Sequence, residues 1–106
     1  MTKRYENKKH LDFVRNKPCA LWEAAPKCEG QTQVHHLLKP WSGERGMGLK
    51  ANDRNVIPLC QAHHTELHDK VGDEEAFFQN YELMPSHGRE TAAKLWLASP
   101  FYEGMK

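Results

Sequence analysis

The sequence predicts an α+β fold in which one small β-hairpin is flanked by helices on both sides. Two short strand-compatible runs, at 31–36 and 55–59, are separated by a turn-rich segment with three glycines. Helical patterns lie before and after this middle part. The length of 106 residues is that of one domain, so we expect a single domain over 1–106.

The first helix is expected at 5–16, where apolar residues three positions apart lie among charged ones and Pro18 ends the pattern. A loop follows over 19–30, with prolines and a glycine that separate the helix from the first strand. Pro58 restricts the second strand to a sheet edge or to its own end, because proline donates no ladder hydrogen bond.

Helical spacing returns after the second strand and ends at Gly72, a residue typical of helix C-termini. Asp73 is a good N-cap for a helix at 74–81, and a last helix is expected at 89–98, beginning at Ser86 or a neighbour. The aromatic residues of these two helices are expected in the core: Phe77, Phe78, Tyr81 and Trp96.

The composition argues against a membrane protein. The chain is 39% hydrophobic and 27% charged, and no apolar run approaches the ~20 residues of a membrane span. No signal-peptide pattern follows the charged start. We therefore expect a soluble, cytoplasmic protein that has no membrane partner.

The net charge of +1 conceals an asymmetry, since residues 1–65 carry a net charge of +5 and residues 66–106 carry −4. A basic front half suits a polyanionic partner such as nucleic acid. Such a run of charge is also typical of a solvated face, and charge alone does not decide between the two.

The three cysteines lie near histidines in a chain with no sign of secretion, which favours metal binding over disulfides. Cys60 and His63 are separated by two residues, the gap that lets a tight turn bring two ligands onto one ion. With Cys19 and Cys28 they form a predicted four-ligand structural zinc site. The alternative is that the cysteines are small buried hydrophobic residues.

A second candidate site consists of His35, His64 and His68. The last two are four residues apart on the predicted helix and share one face, close enough to chelate one divalent ion. His35, on the facing strand, adds a third ligand and leaves the site half open, as catalysis requires. A single histidine of this kind is usually a satisfied core residue, but five lie within 35–68.

These residues together resemble the His-Asn-His (HNH) endonuclease motif. The resemblance rests on 34-VHH-36, on Asn55 five residues before Cys60, and on the His-x3-His pair of His64 and His68. The run 55-NVIPLCQAHHTELH-68 is similar to small HNH nucleases of phages and prophages, and to the related recombination-enhancing nuclease group. The match covers 19–70, and 73–99 is a helical C-terminal extension.

The resemblance implies a ββα-metal (His-Me finger) core with a structural zinc site and flanking N- and C-terminal helices. It also implies a metal-dependent DNA endonuclease in which His35 ligates the catalytic metal and His36 is the general base. Asn55 would hydrogen-bond across the long loop and hold the base in orientation. His64 and His68 would supply helix ligands, although in many members only one of these positions binds the metal.

The implied chemistry is consistent with the residue types. An imidazole, with a reference pKa near 6.5, can take a proton from the attacking water at neutral pH. One divalent cation offsets the charge that develops on the phosphate and the leaving 3′ oxygen. The resemblance implies 5′-phosphate and 3′-hydroxyl ends and favours Mg or Mn, whereas nitrogen ligands also accept Zn or Ni.

Three basic residues near the second strand are candidate DNA contacts: Arg45, Lys50 and Arg54. Arg45 and Lys50 are the stronger candidates, because a glycine-rich backbone can approach a phosphate closely. Each can equally be a solvated loop charge. Trp41 is expected to pack under this loop, with stacking on a base as the alternative.

Three functions are therefore compatible with the sequence. The first is an endonuclease that acts on double- or single-stranded DNA as a monomer or homodimer, encoded by a phage or prophage and located in the bacterial cytoplasm. The others are a non-catalytic, zinc-stapled nucleic-acid-binding module and a zinc-stabilised protein-interaction domain. His36 and a second metal site favour the first, because a binding module requires neither.

Overall fold

The structure is a computed structural model that describes residues 5–24, 28–38, 41 and 52–103. Its described residues form the predicted α+β arrangement, a two-stranded antiparallel sheet with helices before and after it. In chain order the elements are α1 (Lys8–Arg15), β1 (Thr32–His36), β2 (Val56–Cys60), α2 (Gln61–Glu66), a π-helical segment (Leu67–Val71), α3 (Glu74–Gln79) and α4 (His87–Ala98). Among these helices, none combines the length and the apolar character needed to cross a bilayer.

The sheet pairs β1 with β2 so that Thr32 lies opposite Cys60 and His36 lies opposite Val56. Every residue of β2 is buried. Pro58 is accommodated because each strand of a two-stranded sheet is an edge, and its carbonyl accepts a hydrogen bond from the Ala20 backbone at 2.7 Å. This bond attaches the loop after α1 to the second strand.

Local capping fixes the helix boundaries. The Asn7 side chain accepts a hydrogen bond from the backbone N–H of His10 and begins α1, and the Asp73 side chain caps α3 as predicted. Gly72, with φ 75°, ends the π-helical segment in the left-handed region that glycine tolerates best.

The helix that carries the second histidine group is not uniform. The sequence predicts one continuous helix up to Gly72, whereas α2 passes into π-helical geometry at Leu67. Leu67 is fully buried, and the next residue, His68, is exposed. Short π-helical segments inside α-helices are frequent at functional sites, where they change the direction of a side chain.

The core fills the space between the sheet and the C-terminal helices. Phe77, Phe78 and Trp96 are fully buried as predicted, and Tyr81 is half-buried against the cluster that contains Phe77 and Phe78. Each fully buried large apolar side chain stabilises the fold by about 1.5–3 kcal/mol. Trp41 is half-buried and packs against the cluster that contains Phe77 and Phe78.

Candidate metal centres

Three cysteines and one histidine converge at the junction of β2 and α2. The ligand atoms of Cys19, Cys28, Cys60 and His63 all lie within 4.8 Å of one another. The His63 Nδ1 atom is 3.1 Å from the Cys60 sulfur, 3.6 Å from that of Cys19 and 3.8 Å from that of Cys28. Three sulfurs and one imidazole nitrogen are the donor set of a closed structural zinc site, so this Cys₃His cluster can hold zinc.

Backbone hydrogen bonds bring the segments of the Cys₃His cluster together. Cys60 is the last residue of β2 and the N-cap of α2, and its sulfur accepts the backbone N–H of His63 at 3.5 Å. The carbonyl of Glu29, next to Cys28, accepts the backbone N–H of Ala62 at 3.1 Å. The β2–α2 junction thus positions Cys60 and His63, and the segment that carries Cys28 is hydrogen-bonded to it.

The thiols of the Cys₃His cluster differ in acidity. Burial raises the pKa of the Cys19 thiol and raises that of Cys28 to about 12. At Cys60 burial again opposes ionisation, but hydrogen bonds from the backbone N–H groups of His63 and Glu29 and from the thiols of Cys28 and Cys19 together outweigh it and lower the pKa. Cys60 is therefore the thiol that ionises most readily, which suits a first anchor for a cation.

The second cluster, His₃, brings together His35, His64 and His68. The Nε2 atom of His64 lies 3.2 Å from the His35 Nδ1 atom and 3.1 Å from the His68 Nε2 atom. All three nitrogens lie within 4.8 Å of one another, as the spacing on the helix and the facing strand predicts. His35 is buried, His64 is half-buried and His68 is exposed, so the cluster opens to solvent on one side.

Neighbouring side chains fix the outer nitrogens of the His₃ cluster. The His35 Nε2 atom is 2.5 Å from the carboxylate of Glu74, which also accepts the backbone N–H of Leu38 at 2.7 Å. The His64 Nδ1 atom is 2.8 Å from the side-chain oxygen of Gln33. Because these oxygens accept hydrogen bonds, the outer nitrogens carry the protons and the inner ones present lone pairs.

The ring of His64, at the centre of the His₃ cluster, is neutral at neutral pH. Burial, together with the nearby rings of His35 and His68, lowers the pKa of His64 to about 4. Imidazole nitrogens suit Zn, Ni or Mn, and a three-histidine set with a solvent-facing side leaves a coordination position free. The donor set therefore fits a divalent cation.

His36 lies next to the cluster in sequence but contacts a different group. Its Nε2 atom is 2.8 Å from the carboxylate of Asp53, and its side chain is 15% exposed. The Asn55 side-chain oxygen accepts the backbone N–H of Trp41 at 2.7 Å, and its amide donates to Asn52 at 2.9 Å. Asn55 thus bridges the long loop as expected, but Asp53 is the side chain that hydrogen-bonds to the His36 ring.

Of the three basic residues predicted to contact DNA, the structure describes only Arg54. Arg54 is only 7% exposed, and its guanidinium lies 4.0 Å from the ring centroid of Tyr5. This burial argues against the expected phosphate contact, since a stacked interior guanidinium is not presented to a ligand. Arg45 and Lys50 lie outside the described residues.

Glu74 and Asp53 are the site residues that sequence reasoning missed. Glu74 follows a helix N-cap, where acidic residues are common on the surface, and Asp53 lies in a polar turn. The only available signal was the presence of acidic residues near the histidine motif, which does not identify their contacts.

Comparisons with known proteins give a family without an assigned function. A family model described as "Protein of unknown function (DUF968)" matches residues 1–89. An uncharacterized protein of Escherichia coli (strain K12), YdfU, is 38% identical over an 85-residue alignment that covers 77% of this chain. The matched part is 22% of that relative, so the chain spans a minor share of its length. No solved structure matches.

Proposed function

We propose that this chain, which belongs to the DUF968 family of proteins of unknown function, is a metal-dependent DNA endonuclease with a ββα-metal core. The observation that carries the proposal is the convergence of the three ring nitrogens of the His₃ cluster next to a separately held histidine, His36. The elements that supply them follow the order strand, strand, helix, with β1 and the helix on the two sides of the cluster. This order agrees with the HNH resemblance of the sequence.

The residues of the chain divide the reaction between them. His36 takes a proton from the attacking water, which adds to the phosphorus as the bond to the 3′ oxygen breaks, leaving 5′-phosphate and 3′-hydroxyl ends. The His₃ cluster would hold one divalent cation, which supplies Lewis-acid stabilisation of the phosphate and the leaving oxygen. The low pKa of His64 keeps its ring available for this role at neutral pH.

The Cys₃His cluster supports the same function as a zinc staple. His63 belongs to the Cys₃His cluster and His64, the next residue of α2, belongs to the His₃ cluster. Zinc bound at His63 would therefore fix the backbone next to a ligand of the second ion. Small domains benefit from such a staple because their cores are limited.

We propose a divalent cation as the cofactor and DNA as the substrate. The HNH resemblance favours Mg or Mn for the catalytic ion, and three imidazoles also suit Zn or Ni. DNA is the proposed substrate, with Arg45 and Lys50 as candidate phosphate contacts and with one active site per chain. A single active site cuts one strand at a time, so a monomer would nick, and a homodimer would be needed for a concerted double-strand break.

A plasmid-nicking assay tests the proposal directly. Wild type, His36→Ala and His87→Gln are compared with Mg, Mn, Ni and Zn as added ions. His87 is a matched control, because its ring bonds to the Ala20 carbonyl and belongs to neither cluster. We expect nicking by wild type and by His87→Gln, and a loss of about 100-fold or more in His36→Ala, the contribution typical of a general base.

Two results would contradict the endonuclease. Equal nicking by wild type and His36→Ala, with zinc content and melting temperature unchanged, would refute the role of the base. No nicking with any of the four ions, combined with DNA binding in a gel-shift assay, would instead favour the zinc-stapled nucleic-acid-binding module.

A further inference from the structure

The two adjacent histidines of β1 each contact a different buried carboxylate through the same ring atom. His35 Nε2 is 2.5 Å from Glu74, and His36 Nε2 is 2.8 Å from Asp53. The exposed fraction of Glu74 is 5% and that of Asp53 is 2%, so both contacts are shielded from water. Neighbouring side chains of a strand point to opposite faces, and here each face supplies its own acceptor.

Asp53 is itself held in a fixed orientation. Its second carboxylate oxygen accepts the backbone N–H of Asn7 at 2.8 Å, and its own N–H donates to the carbonyl of Tyr5 at 3.1 Å. Asn7 is fixed in turn, since its side chain caps α1 and also donates to the carbonyl of Phe101 at 3.1 Å. The carboxylate therefore cannot rotate away from His36 without breaking the bond to Asn7.

This geometry determines which nitrogen of His36 can act as a base. An ionised carboxylate only accepts hydrogen bonds, so the His36 nitrogen that faces Asp53 is the protonated one. In the neutral ring the lone pair then lies on Nδ1. The described residues provide no hydrogen-bond partner for His36 other than Asp53, which leaves Nδ1 free for a water molecule.

We infer that Asp53 is a positioning residue that fixes the tautomer of His36 and makes Nδ1 the atom that accepts the proton. The inference rests on the proposed endonuclease and adds a residue outside the HNH pattern. In the reaction a proton passes from water to Nδ1 as the water oxygen bonds to phosphorus. The bond from phosphorus to the 3′ oxygen breaks, and that oxygen takes a proton from solvent. In the resulting imidazolium the Nε2–H group still donates its hydrogen bond to Asp53, and the negative charge of this carboxylate stabilises the positive ring.

Glu74 provides the matched comparison, because its contact with His35 has the same form but serves a proposed metal ligand. The isosteric variants Asp53→Asn and Glu74→Gln should therefore change different quantities. In Asp53→Asn the side chain can no longer accept hydrogen bonds from both His36 and Asn7. We expect kcat for nicking at saturating metal to fall about 10–100-fold, with the KM for DNA and the metal requirement unchanged.

Glu74→Gln should instead raise the metal concentration needed for half-maximal nicking, by about 10–100-fold, and keep kcat at saturating metal. Asp12→Asn, an exposed carboxylate of α1, serves as the control that changes neither quantity. If Asp53 had a purely structural role, Asp53→Asn would lower the melting temperature and the fraction of active protein. It would not lower kcat selectively while the metal requirement stayed unchanged.

The tautomer can be measured without any assay of activity. Long-range ¹H–¹⁵N NMR of histidine-labelled protein distinguishes the two tautomers, and the His36 signals are those absent from His36→Ala. We expect His36 to be protonated at Nε2 in wild type and to gain an Nδ1-protonated population in Asp53→Asn. The tautomer is read from the wild-type spectrum, and His36→Ala is used only to assign the signals.

The outcomes separate this inference from the proposed function. Protonation of His36 at Nδ1 in wild type, or an unchanged kcat in Asp53→Asn, overturns the role of Asp53 even if the protein nicks DNA. A rise in metal requirement in Asp53→Asn equal to that in Glu74→Gln overturns it as well. No nicking by wild type with any ion overturns the proposed function and removes the reaction that Asp53 would serve, whichever tautomer NMR reports.

Discussion

The two ligand clusters of this protein each take a histidine from α2 but differ in donors and in access to solvent. The Cys₃His cluster consists mainly of sulfur atoms and is assembled by backbone hydrogen bonds at the β2–α2 junction. The His₃ cluster consists of imidazoles whose outer nitrogens contact side chains, and it opens to solvent at His68. A closed four-ligand set is typical of a structural ion, and a three-ligand set with an open side is typical of a reactive one.

Adjacent residues connect the two clusters. His63 contacts the cysteines and His64 contacts His35, because neighbouring residues of a helix point about 100° apart. On β1 the same holds: His35 contacts His64 of the His₃ cluster, and His36 contacts Asp53. Paired histidines thus allow one short hairpin and helix to supply side chains to two different sets of contacts.

The largest expected effect is the loss of the fold on removal of a Cys₃His ligand. Cys60→Ala removes both a ligand and the N-cap acceptor of α2. Structural zinc contributes on the order of 10 kcal/mol to small domains, which exceeds or equals the stability of most of them. We expect the variant to retain no zinc and to lack a cooperative thermal transition, and a strong chelator should produce the same result in wild type. A variant that keeps zinc and melts at the wild-type temperature would show that the cluster is not structural.

Substitution of two glycines compares how tightly the backbone is packed next to each cluster. Gly30 lies between Cys28 and β1 with φ 81°, and an added Cβ would come within 2.6 Å of the Gln61 Cβ atom. Gly72 follows the helix of His68 with φ 75°, and an added Cβ would meet nothing within 4 Å. We expect Gly30→Ala to lower the free energy of unfolding by about 3 kcal/mol and Gly72→Ala by about 1 kcal/mol, from strain alone. Urea denaturation measures both, and equal losses would show that the Cys₃His scaffold is not tightly packed at this point.

A smaller effect is expected from the exposed ligand of the His₃ cluster. His68→Ala should change the free energy of unfolding by less than about 0.5 kcal/mol, because its side chain is solvent-exposed. It should also raise the Kd for Mn or Ni at least about tenfold, as measured by calorimetric titration, and leave the tight zinc in place. His87→Gln is again the matched control. An unchanged Kd in His68→Ala would remove this residue from the proposed metal site.

The sequence was sufficient for those parts of the site that depend on local spacing. The Cys-x-x-His turn lies at the end of a strand, and the His-x3-His pair lies on one helix, so both ligand pairs are set by neighbouring backbone. The order of the strands and helices was also predicted, because glycines, prolines and N-caps separate them. The π-helical segment was not predicted, since a change in the helical hydrogen-bond pattern does not alter the residue spacing.

Contacts between distant parts of the chain could not be predicted. Asp53 contacts a histidine 17 residues away, and Glu74 contacts one 39 residues away. Both contacts depend on how the N-terminal segment and α3 pack against the strands, and no local pattern distinguishes these acids from surface ones. Arg54 was misjudged for the same reason, because only the fold places Tyr5 over its guanidinium.

The number and kind of metal ions that one chain binds test most directly whether the Cys₃His cluster is a structural site and the His₃ cluster an exchangeable one. Native mass spectrometry of the wild type, after dialysis against a weak chelator and then with one equivalent of Mn or Ni, measures both sites at once. We predict one zinc ion that survives dialysis and one further ion that binds wild type and is lost in His68→Ala. A single zinc with no binding of a second ion, or release of both ions together, would contradict the division into a structural and an exchangeable site.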